Sequence, residues 1–341
     1  MSRSHRIGYA VVGLGHIAQH AVLPGFRHAR KSRLVALVSS DGGKAARLAR
    51  KFGAKHAYAY DDYDACLADP EVEAVFVASA NGAHAEQTIR AADAGKHVLC
   101  EKPMANTLDE CRAMIEAARR NRVRLMIAYR KYFEPASVTL KKMIAAGRLG
   151  KLRIMHSSFT FRLETAKAWH FSHTAAGGGS LVDVGVYPVN TCRWLAGEMP
   201  VEVSGHAWAH DAKRFCEVDE NIVFQMRFPS GLIVQASSSF GAAKSSFLHV
   251  HGEKGWATLV PAYSYTEERR LLGEIGNREF DRRYRKMDEF ALELDALAEC
   301  ALEGREPEPN GLEGARDVAI MEGIYRSARE QRPVAVTDVV G

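Results

Sequence analysis

Five short apolar runs alternate with amphipathic segments over the first 130 residues, and that alternation restricts the chain to a parallel, doubly wound sheet. The runs 7–12, 34–39, 74–79, 97–100 and 125–128 are rich in Val, Ile and Leu and bounded by turn residues or charges, as buried strands are. Between them, segments 44–52, 84–94 and 108–121 carry helical spacing. The last opens on Thr107-Leu-Asp-Glu110, a capping box in which two side chains satisfy orphan amides. Near Arg130 the pattern changes. Residues 135–146 read as a helix, 147–150 as a turn and 152–163 as one long strand. From 201 to 259 strands recur at short spacing (201–209, 220–228, 232–240, 247–252), broken by Pro229-Ser-Gly231 and Gly252-Glu-Lys-Gly255. Such short connections join antiparallel neighbours. Helices at about 286–303 and 312–330, separated by Pro307-Glu-Pro-Asn-Gly311, close the chain.

Gly13-Leu-Gly15-His16-Ile17-Ala18 ends the first strand and opens the first helix, where a dinucleotide fingerprint belongs. Gly13 permits the tight turn, Gly15 lets a pyrophosphate approach the backbone, and Ala18 allows close helix–strand packing. The amides that follow, at His16 and Ile17, stand at the positive end of a helix dipole. The expected fold is therefore α/β. An N-terminal Rossmann domain with a doubly wound parallel sheet occupies 1–130. A C-terminal α+β domain on an open, mainly antiparallel sheet occupies 131–341, with part of the closing helices packing back on the first.

The second strand selects the coenzyme. An NAD site carries Asp or Glu near that strand's end to grip the ribose 2′-hydroxyl. Here the end is Ser39-Ser40, followed by Asp41-Gly-Gly-Lys44, and hydroxyls with a cation suit a 2′-phosphate. NADP(H) is favoured, with Ser39, Ser40 and Lys44 as its contacts.

Cys100-Glu101-Lys102-Pro103 stands where the fifth strand ends, the side on which doubly wound sheets bind ligands. A lysine there reaches both a nicotinamide and a substrate hydroxyl; on its own it would read as a surface lysine. Further along, Gly177-Gly-Gly-Ser180-Leu-Val-Asp183-Val-Gly-Val-Tyr187-Pro-Val-Asn190 sets three glycines before a helix. At its spacing Asp183, Tyr187 and Asn190 share one face, and a polar stripe among Leu and Val needs partners or a ligand.

Taken together these motifs resemble the glucose–fructose oxidoreductase / inositol dehydrogenase family over almost the whole chain. The family order is GxGxxA, then EKP, then GGGxLxDxGxxxxD. Tyr187 stands where His is common, and Asn190 where Asp is common. Tyrosine with asparagine is similar to the glucose–fructose oxidoreductase branch, as are Ala36-Leu-Val-Ser39, Arg214-Phe-Cys-Glu-Val-Asp219 and Phe228-Pro-Ser-Gly231. Dimeric dihydrodiol dehydrogenase is similar in having the tyrosine. The resemblance implies Asn81 and His84 as coenzyme neighbours, with Ala80 in place of the usual Pro. It also implies Trp169-His170 over the coenzyme, His170 replacing an Arg.

The expected activity is hydride transfer at a sugar CH–OH carbon, C1 of an aldose, with NADP(H) that stays bound if the enzyme couples two sugars. Lys102, Tyr187 and Asp183 are the expected catalytic residues, and Arg130 and Phe161 are expected to join them along the substrate. Tyr187 acts as the base beside a Lys102 ammonium, or the roles are exchanged. A trans-dihydrodiol or dicarbonyl reductase is the alternative, and a non-catalytic sugar or NADP sensor a further one. The net charge of +5 is spread along the chain, which argues against nucleic acid. Six scattered cysteines form no metal-ligand rhythm, so no metal is expected. No run approaches the ~18 apolar residues of a membrane span, and Met1-Ser-Arg-Ser-His-Arg has no signal-peptide core. A cytoplasmic homodimer joined through the C-terminal sheet is the expectation.

Overall fold

A computed structural model describes residues 5–164, 168–337 and 339. The chain forms two compact units, residues 1–130 with 288–315 and residues 131–287 with 316–341. In the first, β1 (Ile7–Val12), β2 (Ser32–Val38), β3 (His56–Tyr58), β4 (Ala74–Val77), β5 (His97–Cys100) and β6 (Leu125–Ile127) make one sheet in the order β3-β2-β1-β4-β5-β6. Every pairing is parallel. All residues of β1 and β4 are buried, which is why these strands read as unbroken apolar runs rather than alternations. The capping box forms: the Glu110 amide donates to Thr107 Oγ1 at 3.2 Å, and the Thr107 amide to Glu110 Oε2 at 3.0 Å. The helix Glu289–Glu303 packs on this unit, with the Tyr9 hydroxyl donating to the Leu294 carbonyl at 2.8 Å.

The second unit holds β7 (Leu152–Thr160), β8 (Glu202–Trp208), β9 (Asn221–Arg227), β10 (Ile233–Ser239), β11 (Ser245–Gly252), β12 (Gly255–Val260), β13 (Arg269–Ile275), β14 (Arg278–Tyr284) and β15 (Val334–Ala335). Their order is β14-β13-β12-β11-β7-β10-β9-β8-β15, and β7 with β10 is a parallel pair in an otherwise antiparallel sheet. The helices Pro135–Ala145 and Val186–Ala196 cover one face. The other face presents Ile154, Trp208, Val223, Ile233 and Val260, each about two-fifths exposed. The α/β class and the pairing of a parallel with a mainly antiparallel sheet agree with the sequence reading. The sequence reading lacked the β13–β14 hairpin. Its turn is Gly276-Asn277, both at positive φ (53° and 62°), the geometry of a two-residue hairpin loop.

Candidate active site

Strand order reverses between β1 and β4, so the first unit's crevice opens at the carboxyl ends of those strands. Gly13 lies there at φ 88°, and a Cβ on it would stand 2.4 Å from the Ser79 amide nitrogen. Only glycine lets β1 turn so close to the chain leaving β4. Gly15 differs: a Cβ there would meet nothing within 4 Å. The turn therefore leaves room where a diphosphate needs it. His16 is exposed and stacks on His20 with ring centroids 4.3 Å apart, while Ile17 is half-buried beside it. Burial, followed by the neighbouring His20, pulls the His16 imidazole below its ordinary pKa.

After β2, Ser39 is buried and its hydroxyl accepts from the Asp41 amide at 3.2 Å; Ser40 is exposed. The Asp41 carboxylate is occupied as the N-cap of the helix Gly42–Phe52, accepting from the Lys44 amide at 2.8 Å. The acidic residue nearest a ribose position is thus engaged with backbone, and the half-buried Lys44 is the cation beside it.

At the end of β5, Glu101 is buried, Lys102 is half-buried, and the Lys102–Pro103 bond is cis. His84 braces this turn from within. Its Nδ1 is 2.9 Å from the Pro103 carbonyl and its Nε2 3.3 Å from the Ser79 carbonyl. Burial lowers its pKa, so the ring is neutral with one donor, which the shorter contact assigns to Nδ1. Asn81 is buried at the start of the short helix Asn81–Ala83. Arg130, expected along the substrate, is 2 % exposed, and its Nη1 donates to Glu289 Oε2 at 2.9 Å. Its guanidinium is held inside the first unit by a buried carboxylate that sequence reading did not assign to it.

In the second unit the glycine run is organised by Asp219, a residue with no assigned part in the sequence reading. Its carboxylate accepts from the Gly179 and Leu181 amides at 2.9 Å each, from Ser180 Oγ at 2.8 Å and from the Tyr325 hydroxyl at 2.5 Å. A Cβ on Gly179 would stand 1.8 Å from the Asp219 carbonyl oxygen, so the close approach demands glycine. This anchor starts the helical segment at Leu181–Gly185, whose bonding is of the wide π type, before the α-helix Val186–Ala196. The wide turn contains Asp183 and ends just before Tyr187, the kind of irregularity often found at functional positions. Tyr187 is 9 % exposed, with the Phe159 ring edge-on and the Tyr263 ring tilted, each at 5.7 Å. Phe161 extends this wall toward Phe240 at 5.4 Å. Asn190 faces elsewhere, donating to Asp317 Oδ2 at 2.7 Å beside the Arg193–Asp317 ion pair. His170 is half-buried, and the Trp169 side chain lies outside the described residues.

One family model, described as an oxidoreductase family with an NAD-binding Rossmann fold, matches residues 7–129, and a GFO/IDH/MocA C-terminal domain model matches residues 137–258. The chain belongs to the GFO/IDH/MocA oxidoreductase family. Similar proteins include the aldose–aldose oxidoreductase of Caulobacter crescentus, solved with glycerol, which is 38% identical with a TM-score of 0.93 over 97% of this chain and 100% of its own. D-xylose 1-dehydrogenase [NADP(+)] of Haloarcula marismortui is 28% identical over 96% of this chain and 92% of the relative. Trans-1,2-dihydrobenzene-1,2-diol dehydrogenase of Mus musculus is 29% identical over 76% of each. Among the described residues of this GFO/IDH/MocA protein, no cluster of His, Cys, Asp or Glu is placed to hold a metal, and no helix is long and apolar enough to cross a membrane.

Proposed function

We propose that this enzyme transfers a hydride between NADP(H) and the CH–OH carbon of a small sugar, C1 of an aldose. The observation that carries the reading is the first unit's crevice. An unobstructed glycine turn stands at the strand-order reversal, and Lys102 emerges at the end of the next strand but one. The room at Gly15 fits a dinucleotide, and the engaged Asp41 with Ser39, Ser40 and Lys44 fits one bearing a 2′-phosphate. A nicotinamide coenzyme held there by residues 13–17, Asn81 and Glu101 would supply the hydride acceptor. Two of the similar proteins, the aldose–aldose oxidoreductase and the D-xylose 1-dehydrogenase, are named for aldoses, which supports the substrate class.

In this reading the sugar hydroxyl loses its proton to Tyr187 during oxidation and regains one during reduction. The Lys102 ammonium favours the anionic form of the oxygen it faces, Coulomb attraction first and a charged hydrogen bond second. Asp183 orients the sugar, and Phe159 and Phe161 offer apolar surface to its C–H face. That aromatic wall also favours a second reading, a dihydrodiol reductase, distinguished by turnover on aromatic diols against aldoses.

Release of NADP(H) from denatured, dialysed protein tests whether the coenzyme stays bound between half-reactions. A stoichiometric yield supports a sugar-to-sugar cycle; an empty protein that reduces added NADP+ is a plain dehydrogenase. We further propose a homodimer through the open sheet face. I233E should then give monomers in light scattering, and an unchanged mass would refute that interface.

A further inference from the structure

Glu293 sits within the helix Glu289–Glu303 with no exposed surface, and neither of its carboxyl oxygens has a hydrogen-bond partner. One turn earlier on the same helix face is Glu289, also buried, engaged with Arg130. The helix packs against β5, and Glu101, which follows that strand, is the charged group that acts most strongly on Glu293. Three buried carboxyl groups therefore gather beneath the Glu101–Lys102 turn, with Arg130 as the guanidinium among them.

An ionised carboxylate with no donor in such surroundings is far costlier than a neutral acid. With Glu293 neutral, the Arg130 guanidinium balances Glu289. With it ionised, an anion is left over beside Glu101. Burial and then Glu101 push the Glu293 carboxyl well above the usual range; Arg130 opposes them, and Glu289 and Asp288 add to them. The remaining titratable groups along this helix are engaged elsewhere: Tyr9 with the Leu294 carbonyl, His28 with Asp288, Lys31 with Glu299, Asp295 with the Arg30 and Lys31 amides and Ser32 Oγ, Cys300 with the Glu306 carbonyl, and Glu303 with Arg305.

We propose that Glu293 is a positioning residue: a neutral carboxylic acid held under the Glu101–Lys102 turn, which fixes the charge that Lys102 presents to the substrate oxygen. Its second half rests on the hydride-transfer reading above. Glutamine has the shape of the neutral acid and no proton to lose, so E293Q isolates the charge.

The test compares wild type and E293Q in two ways. In denaturant unfolding, the unfolded chain releases this proton above about pH 4.3 while the folded protein keeps it. Wild-type folding should therefore weaken relative to E293Q by about tenfold in equilibrium constant per pH unit from about pH 5 upward, until the folded carboxyl itself ionises. A gap that does not change with pH overturns the neutral acid. In kinetics, the alkaline limb of the E293Q kcat profile should lie half a unit or more higher, with KM and NADPH affinity held within two-fold. Coincident limbs overturn the positioning role. If wild type turns over no aldose, the sugar reading fails by itself. The same comparison is then read on turnover of an aromatic dihydrodiol, where coincident alkaline limbs overturn the positioning role. If E293Q does not fold, E293M, neutral and of similar volume, replaces it in both measurements.

Discussion

In the proposed mechanism Tyr187 is the acid–base group at the reacting oxygen. Lys102 supplies the positive charge in the same proposal, so K102M and Y187F are told apart by their pH profiles. K102M is expected to lower kcat by ~10²–10⁴ and to leave NADPH affinity within about two-fold. Y187F should show the same kcat loss and, lacking the titrating hydroxyl, a flattened pH profile. Wild-type turnover in K102M would remove Lys102 from the chemistry. Lys102 and Tyr187 were legible because each sits in a motif of fixed spacing. Glu293 was not: a glutamate inside Glu289-Phe-Ala-Leu-Glu293 looks like any solvated helix residue, and only packing reveals that it faces inward. Asp219 was quoted as part of a resemblance. Its use as an acceptor of four hydrogen bonds depends on a loop and the Tyr325 helix arriving together.

At the scale of elements, one turn carries two glycines for opposite reasons. Gly13 is required by the backbone, since its φ is 88° and a side chain would strike the Ser79 amide; Gly15 faces open space. G13A should destabilise the first unit by more than ~2 kcal/mol. G15L should shift Tm by no more than about a degree and weaken NADPH binding at least about tenfold. Equal effects of the two on stability would contradict the assignment of Gly15 to the ligand. The parallel strands and the capped helix 108–120 were readable because burial on both faces and capping chemistry leave local marks. The β14 strand was not, because its residues are mostly exposed and charged, a pattern that protects an edge but erases alternation. Its one local mark was the Gly276-Asn277 dipeptide.

For the whole molecule, acid should act first on the second unit. Glu134 is fully buried and accepts from Lys131 Nζ at 3.0 Å, from the Ala136 and Ser137 amides at 2.8 Å each, and from Ser137 Oγ at 2.7 Å. Burial raises its pKa, but the Lys131 ammonium, Arg269 and these donors outweigh it and hold the carboxyl at about 2. A depressed folded pKa gives stability that is complete above the unfolded value near ~4.3 and is lost as pH falls toward 2, ~3 kcal/mol in all. E134Q should be less stable than wild type at pH 7, and that gap should close as pH drops from 5 to 2 in thermal unfolding. A constant gap would mean the ion cluster is not the acid-sensitive element.

The most direct test of the account is initial-rate reduction of NADP+ and of NAD+, followed at 340 nm, with a panel of aldoses that includes glucose and xylose. The account predicts NADP+ reduction by at least one aldose, with kcat/KM for NADP+ at least about tenfold above that for NAD+. Oxidation of aromatic dihydrodiols with no turnover of any aldose would contradict it.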